Sequence, residues 1–291
     1  MMQHESVIWI RKRPRLVLIT LLVLFNALLL TIYLRGEHRV LRVSFLDIGQ
    51  GDAVFIQAPS GAQMLYDAGP PTGAVLRALH DEMPFYDRSI DVAVFSHPDM
   101  DHIGGFIDVF EHYKVDVMLE PGASSTNGVY DDAEHAIALH DIHRIVARRG
   151  MSIDLGDGVV ADILYPDKDQ EWKDTNGASI VMRIHYGDTA FLISGDLPIA
   201  QEEYVVSLDG DRLHSQVLKL GHHGSHTSSS ELWLRAIRPD IAVISAGLNN
   251  RYGHPHQEVL DLLKKLTIPY LITFQEGTIG FESDGKTITR K

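Results

Sequence analysis

The run Ser96-His97-Pro98-Asp99-Met100-Asp101-His102 sets four side chains able to bind a metal, His97, Asp99, Asp101 and His102, within six positions. It follows the apolar stretch Val92-Ala93-Val94-Phe95, so a strand ends where the cluster begins. Gly104-Gly105 lets the backbone turn tightly behind it. A polar loop capping a helix, with Asp99 or Asp101 as N-cap, accounts for one such residue more readily than for four.

Other apolar runs also end in polar loops. Asp47-Ile48-Gly49-Gln50-Gly51-Asp52 follows the first β-rich run and Asp67-Ala68-Gly69 the third. Asn176-Gly177-Ala178-Ser179 precedes a strand pattern, Ser194-Gly195-Asp196 ends one, and Gly221-His222-His223-Gly224-Ser225 ends another. Tyr252-Gly253-His254-Pro255-His256 closes the series. Asp47 and Asp67 could accept hydrogen bonds from ligand imidazoles, with a turn-forming Asp before Gly as the equal alternative. Asp52 reads as structural. His223, Ser225 and His254 could touch a substrate or protonate a leaving oxygen, although Gly253-His254-Pro255 also reads as a rigid turn. Ser228-Ser229-Ser230 reads as the N-cap of a helix opening at Glu231. His140 and His143, three apart on an expected helix, lack a third ligand and read as a solvated face.

These loops need elements to carry them. Val40–Leu46, Ala53–Ala58 and Gln63–Tyr66 predict strands, followed by a helix at Val75–Glu82, a strand at Val92–Phe95, a helix at Ile107–His112 and a strand at Val115–Leu119. Asp131 to Arg149 predicts a helix with Ile137, Ile142, Ile145 and Val146 as its apolar positions. The second half predicts strands at Val159–Leu164, Ile180–His185 and Ala190–Ser194, a helix at Ile199–Ser207 and a strand at Gln216–Leu220. Helix Glu231–Ile237, strand Ile241–Ser245, helix Gln257–Leu266 and strands near Tyr270–Phe274 and Thr278–Phe281 complete it. Two strand-rich halves, each closing with strand–helix alternation, predict an α/β protein with two sheets face to face and helices outside.

The 291 residues, 45% hydrophobic and 22% charged, suffice for one large domain. The net charge of −13 argues against a broad basic surface for nucleic acid. It leaves room for a nuclease whose cations supply the local positive charge. Arg144, Arg148 and Arg149 read as a charged helix face. The chain has no cysteine, which excludes disulfides and thiolate metal sites.

Leu16 to Leu34 is uncharged, with Thr20, Asn26, Thr31 and Tyr33 as its only polar breaks. At about 1.5 Å per residue it spans the ~30 Å hydrocarbon core, and no small-x-small cleavage site follows. Arg11, Lys12, Arg13 and Arg15 precede it, while Arg35, Arg39 and Arg42 follow, diluted by Glu37. That bias predicts the N-terminus inside and the globular part outside the cytoplasm. The expected organisation is a cytoplasmic basic segment over 1–15, a single transmembrane anchor over 16–34, a linker over 35–39 and one domain over 40–291.

As a set, these motifs resemble the metallo-β-lactamase fold superfamily, whose signature is His-x-His-x-Asp-His, a downstream His, a bridging Asp and a final His. The wording is similar to the extracytoplasmic hydrolase domain of ComEC-type DNA-uptake proteins. The similar segments are the Leu46–Asp52 opening, the His97–Gly105 core, Ser194-Gly195-Asp196, His222-His223-Gly224-Ser225 and Tyr252-Gly253-His254-Pro255. The likeness runs from about Val40 to Phe281, with one expected span where that family has a long polytopic channel. The fold it implies is a four-layer αββα sandwich, preceded here by the N-terminal transmembrane helix.

The resemblance further implies that His97 and Asp99 hold a first metal and Asp101 with His102 a second. Asp196 would bridge both, and His222 would complete the second site. Asp99 stands where the superfamily usually has a second His, a change shared by ComEC-like sequences. Asn176 stands where a downstream metal-binding His normally sits. An amide oxygen is a weaker, neutral ligand, which shifts preference toward harder cations. The expectation is two divalent ions, Mn²⁺ or Zn²⁺, with a single ion retained in the second position as the alternative. Two ions ~3.5–4 Å apart would clamp a phosphoryl group, and a bound water with its pKa lowered toward ~7 would give a metal-bound hydroxide. Asp101 would be both ligand and orienter of that nucleophile.

The expected function is a membrane-anchored, metal-dependent hydrolase, a phosphodiesterase or nuclease acting on DNA or on a cell-envelope polymer. The acidic balance suits an envelope polymer or lipid headgroup better than DNA. Hydrolysis of a β-lactam, lactone or thioester is the alternative, weakened by the replaced histidines. A non-catalytic anchored binding module explains the ligand cluster poorly, because no fold needs such a cluster to be stable.

Overall fold

The computed structural model describes residues 13–35, 40–168 and 174–291. The chain divides into two compact units, Met1–Arg39 and Val40–Lys291. Of the expected basic segment only 13–15, and of the expected linker only Arg35, fall within the described residues.

The first unit holds helix α1 (Pro14–Arg35). Proline suits its first position, where no N–H is needed. Over Pro14–Thr31 the mean hydropathy is 2.0 and none of the stretch is buried, so α1 is long and apolar enough to cross a membrane. Its polar breaks are satisfied internally: Thr20, Asn26 and Thr31 donate to carbonyls one turn earlier at 3.0, 2.8 and 2.7 Å.

In the second unit the β-rich runs form two sheets. The first contains β1 (Leu41–Phe45), β2 (Val54–Gln57), β3 (Gln63–Tyr66), β4 (Ser89–Val94), β5 (Lys114–Glu120) and β6 (His143–Val146). The second contains β7 (Ser152–Gly156), β8 (Val159–Tyr165), β9 (Val181–Tyr186), β10 (Thr189–Ser194), β11 (Val217–Lys219), β12 (Ile241–Ile244) and β13 (Tyr270–Ile272). The chain then returns to the first sheet with β14 (Ile279–Ser283) and β15 (Ile288–Arg290). The strand orders are β15-β14-β1-β2-β3-β4-β5-β6 and β13-β12-β11-β10-β9-β8-β7.

Three apolar layers make four layers of structure. Phe45, Ile56, Met64 and Tyr66 meet Ile163, Met182, Phe191 and Ile193 between the sheets. Leu65, Ala93 and Phe95 face outward against α2 (Ala74–Glu82), α4 (Phe106–His112) and α5 (Gly128–Leu139). Leu192, Leu218 and Ala242 pack against α6 (Ile199–Asp209), α7 (Glu231–Ile237) and α8 (Gln257–Lys265). Each fully buried Phe or Leu contributes about 1.5–3 kcal/mol, so both sheets are held on both faces. This is the expected αββα sandwich of the metallo-β-lactamase fold.

In each sheet one half is parallel: β3-β4-β5-β6 in the first and β10-β11-β12-β13 in the second. Parallel strands send their C-terminal ends to one edge, and the polar loops gather there.

The helix expected over Asp131–Arg149 is half wrong. It ends at Leu139, Asp141 takes a left-handed φ of 51°, and His143–Val146 becomes β6, paired parallel to β5. The expected basic helix face therefore does not exist. Arg144 pairs with Glu134 and Glu120, Arg149 pairs with Asp209, and Arg148 donates to the Pro121 and Ala147 carbonyls. The strand expected near Tyr270–Phe274 stops at Ile272, where α9 (Thr273–Glu276) begins.

Candidate metal centre

His97 follows β4 directly, and α3 (Met100–Ile103) carries Asp101 and His102. Asp99 occupies the N-cap position of α3, and its backbone carbonyl accepts the His102 and Ile103 N–H groups at 3.0 Å. Its side chain makes no cap bond there. Instead Oδ1 accepts from Thr175 Oγ1 at 2.6 Å, and Oδ2 lies 3.6 Å from His97 Nε2. Asp196 follows β10 across Gly195, where a Cβ would stand 2.7 Å from Ser96 Oγ. That close approach brings the two sheets' loops together.

Asp196 is the centre of the cluster. Its Oδ1 is 3.4 Å from His102 Nε2. Its Oδ2 is 3.5 Å from His222 Nε2, 3.6 Å from His223 Nε2 and 3.9 Å from His97 Nε2. His223 Nε2 is also 3.4 Å from Asp101 Oδ2.

The far side of each imidazole is tied down. His102 Nδ1 donates to Asp67 Oδ2 at 2.8 Å, and His97 Nδ1 lies 2.9 Å from Ser96 Oγ. Ser96 in turn donates its N–H and hydroxyl to Asp67 at 2.8 and 2.6 Å. His223 Nδ1 donates to the Ser245 carbonyl at 3.0 Å, and His222 Nδ1 meets Thr227 Oγ1 at 3.0 Å. With Nδ1 as donor, the Nε2 lone pairs of these rings face inward, as metal-ligating imidazoles do.

The residues fit a divalent cation. Ligand atoms on one tetrahedral ion, each about 2.0–2.1 Å from it, stand roughly 3.3 Å apart, close to the 3.4–3.6 Å separations here. His97 Nε2, His102 Nε2, His223 Nε2 and Asp196 Oδ1 are buried without a hydrogen-bond partner, an arrangement costly unless something else satisfies it. Electrostatics agree. Burial opposes charge on Asp196, but His102 and His223 hold its carboxyl well below the usual range. Burial lowers His102, yet Asp196 and Asp67 bring it well above its ordinary value. The carboxylates thus create a field at His102 that favours positive charge, and a cation at its Nε2 would answer the same field.

Asp52, Asp196, His102 and His223 have potential ligand atoms within 4.8 Å of one another. Asp52, however, faces the Nδ1 atoms, 3.3 Å from His223 and 3.6 Å from His102, on the side away from Asp196. It therefore acts on the rings from behind, through its charge, rather than joining the inward set. Asp52 is fully buried and paired with Lys219, which is equally buried and also donates to the Ser194 and Leu220 carbonyls at 3.1 and 3.2 Å. Burial raises the Asp52 carboxyl, but Lys219 and then His223 overcome that and lower it to about 2.

Several expected positions differ. Asp47 is exposed, and its Oδ1 accepts the Gly49 N–H at 3.3 Å, so it shapes a turn and orients no imidazole among the described residues. Asn176 begins a short 3₁₀ turn, and its neighbour Thr175 reaches Asp99 instead. Ser225 is buried and bonds Thr227 Oγ1 at 3.0 Å, bracing the His222 loop. His223, expected at the substrate, is 1% exposed with Nε2 between two carboxylates. His254 packs against His222 and His223 with ring centroids 5.4 and 6.1 Å apart. Burial, then His223 and His222, lower it to about 4, so it is a neutral imidazole near pH 7 and a poor proton donor. Ser230 does cap α7, accepting the Trp233 N–H at 3.2 Å.

His222 and His223 both adopt left-handed backbone, φ 50° and 54°. That corner brings both adjacent rings to Asp196 Oδ2 at an interplanar angle of 74°, a conformation L-residues take at a cost of roughly 1–2 kcal/mol each. Sequence reasoning missed Lys219, although a lone cation within the apolar run Val217, Leu218 and Leu220 is itself a signal of a buried partner.

A family model described as metallo-beta-lactamase superfamily matches residues 46–247. The competence protein ComA of Neisseria gonorrhoeae is 34% identical over 239 residues, 82% of this chain and 32% of that protein. ComE operon protein 3 of Bacillus subtilis is 30% identical over 258 residues, again 82% of this chain and 32% of that protein. The chain thus spans about a third of the length of these curated relatives. Among solved structures, a metal-dependent hydrolase of the beta-lactamase superfamily, Tm1679, aligns with TM-score 0.52 at 12% identity, over 80% of this chain and 95% of that one. CmlA, a diiron beta-hydroxylase from Streptomyces venezuelae, aligns with TM-score 0.51 at 14% identity, over 79% and 52% of the two chains.

Proposed function

Because the chain belongs to the metallo-beta-lactamase superfamily, we propose that its globular unit is a metal-dependent phosphodiesterase, held at a membrane by α1 with the hydrolase unit outside the cytoplasm. The observation that carries this reading is the convergence of imidazole Nε2 atoms and carboxylates on Asp196.

In this reading His97 and Asp99 serve one divalent ion and Asp101, His102 and His223 another, with Asp196 between them and His222 at the outer edge. The carboxylate-rich set favours Mn²⁺ or Zn²⁺, and a single ion at the Asp101 side is the minimum. Such ions, when bound, supply Lewis acidity toward a phosphoryl oxygen and a water acidified toward neutral pH. Asp101, about a quarter exposed, lines the cavity beside the cluster. Burial opposes its ionisation, but His223 and His102 hold its carboxyl well below the usual range, so it stays an acceptor that can orient an attacking water. His254, neutral at the same wall, suits a hydrogen bond to a non-bridging phosphoryl oxygen.

The likeness to ComEC-type DNA-uptake proteins supports a nucleic-acid substrate, and the net charge of −13 supports an envelope phosphodiester. The test is metal-stripped full chain supplied with Mn²⁺ or Zn²⁺ and offered a chromogenic phosphodiester and a chromogenic cephalosporin. Phosphodiester turnover is expected. Cephalosporin turnover without it overturns the reading in favour of carbon-centred hydrolysis.

A further inference from the structure

A cavity of about 490 Å³ opens beside Asp101, walled by Ile48, Gln50, Met100, Arg251 and Tyr252 among others. Its charge is unusual for this protein. Against a net charge of −13, Arg251 is an exposed cation with no carboxylate within ion-pair distance among the described residues. It is not loose, however. Its guanidinium lies 4.7 Å from the Tyr252 ring centroid, and Nη2 donates to the Tyr252 hydroxyl at 2.5 Å. Tyr252 stacks on His254 at 5.6 Å with an interplanar angle of 18°, which fixes the platform to the metal-side wall. Across the cavity Gln50 Oε1 accepts the Gly247 N–H at 3.2 Å, while its amide nitrogen is shut off from solvent without an acceptor.

An exposed cation held against an aromatic ring beside the cavity, with N–H donors to spare, suits an anion that arrives with the ligand. The anion attacked at the metal centre has its own partners there. Resting on the phosphodiesterase reading, we propose that Arg251, oriented by Tyr252, receives a second phosphate of the substrate adjoining the scissile one. The site thereby selects phosphodiesters that carry a further phosphate over isolated diesters. Arg251 is a positioning residue for the substrate and takes no part in bond cleavage.

Two measurements on the full chain decide it. Calorimetry compares thymidine 3′,5′-bisphosphate with thymidine 5′-phosphate, and turnover compares the 4-nitrophenyl ester of thymidine 5′-phosphate with and without a 3′-phosphate. The wild type should bind the bisphosphate about tenfold more tightly, the scale of one charge-assisted contact. R251A should erase that preference and raise KM for the 3′-phosphorylated ester about tenfold, leaving kcat and the plain ester unchanged; R251K should recover part of it. Equal binding of both nucleotides by the wild type, or equal loss of both in R251A, overturns the proposal. Absence of any ester turnover sinks the phosphodiesterase reading alone, because the calorimetric comparison still decides Arg251.

Discussion

Lys219 and Asp52 form an ion pair in which neither side chain reaches solvent, directly behind the imidazoles of His102 and His223. Their charges offset each other's desolvation, and Asp52 sets a carboxylate beside the outer nitrogens of two rings that Asp67 and the Ser245 carbonyl hold.

Removing one partner leaves the other charged and buried. Lys219→Met should therefore destabilise the protein by roughly 3–5 kcal/mol, whereas Asp52→Asn combined with Lys219→Met should recover much of that loss. Denaturant unfolding of wild type and the two variants measures it. A Lys219→Met protein as stable as wild type would show that the pair contributes nothing.

Asp196 faces every inward imidazole, so Asp196→Ala should keep the fold and lose metal-dependent turnover by at least about a hundredfold. Circular dichroism beside a phosphodiester assay reads both. Retained turnover contradicts the central role.

The two adjacent histidines should separate. His223 is 1% exposed and locked on the Ser245 carbonyl, whereas the His222 side chain is 25% exposed and held by Thr227. His223→Ala should weaken Mn²⁺ or Zn²⁺ binding by more than about tenfold over His222→Ala in calorimetric titration. The reverse order returns the principal position to His222.

Glu202 gives a pH signature remote from the metal cluster. Burial pushes its carboxyl from 4.5 up to about 7, although the Ser230 and Ser229 N–H groups donate to it. The native chain then keeps this proton to higher pH than the unfolded chain. Its contribution is complete below about 4.5 and disappears as pH climbs through about 7. Urea unfolding between those values should show wild type losing up to about 3 kcal/mol relative to Glu202→Gln. A pH-independent difference between the two rejects the shifted carboxyl.

The sequence made the αββα architecture and the ring of polar loops readable, because strand-rich runs end in His, Asp and Gly at one edge. Of Asp47 and Asp52, two carboxylates of the same loop, it points to Asp47 as the one near the imidazoles, and the structure puts Asp52 there. The choice is made by Gly51, whose φ of 126° and close approach to the Asp101 carbonyl turn Asp52 inward. Likewise His222-His223 reads as one motif, and only the left-handed corner assigns each ring its direction. The segment after Leu139 reads as helix in the sequence because four residues of edge strand carry too little periodicity to outweigh the helix before them.

That corner sets a trade between robustness and chemistry. Glycine at either histidine would relax the backbone, so a search for heat-resistant variants should be drawn to these two positions. Every such gain would remove an imidazole from the cluster. The molecule keeps a weak point in its scaffold where its metal-facing groups are concentrated, and hardening it there would silence it.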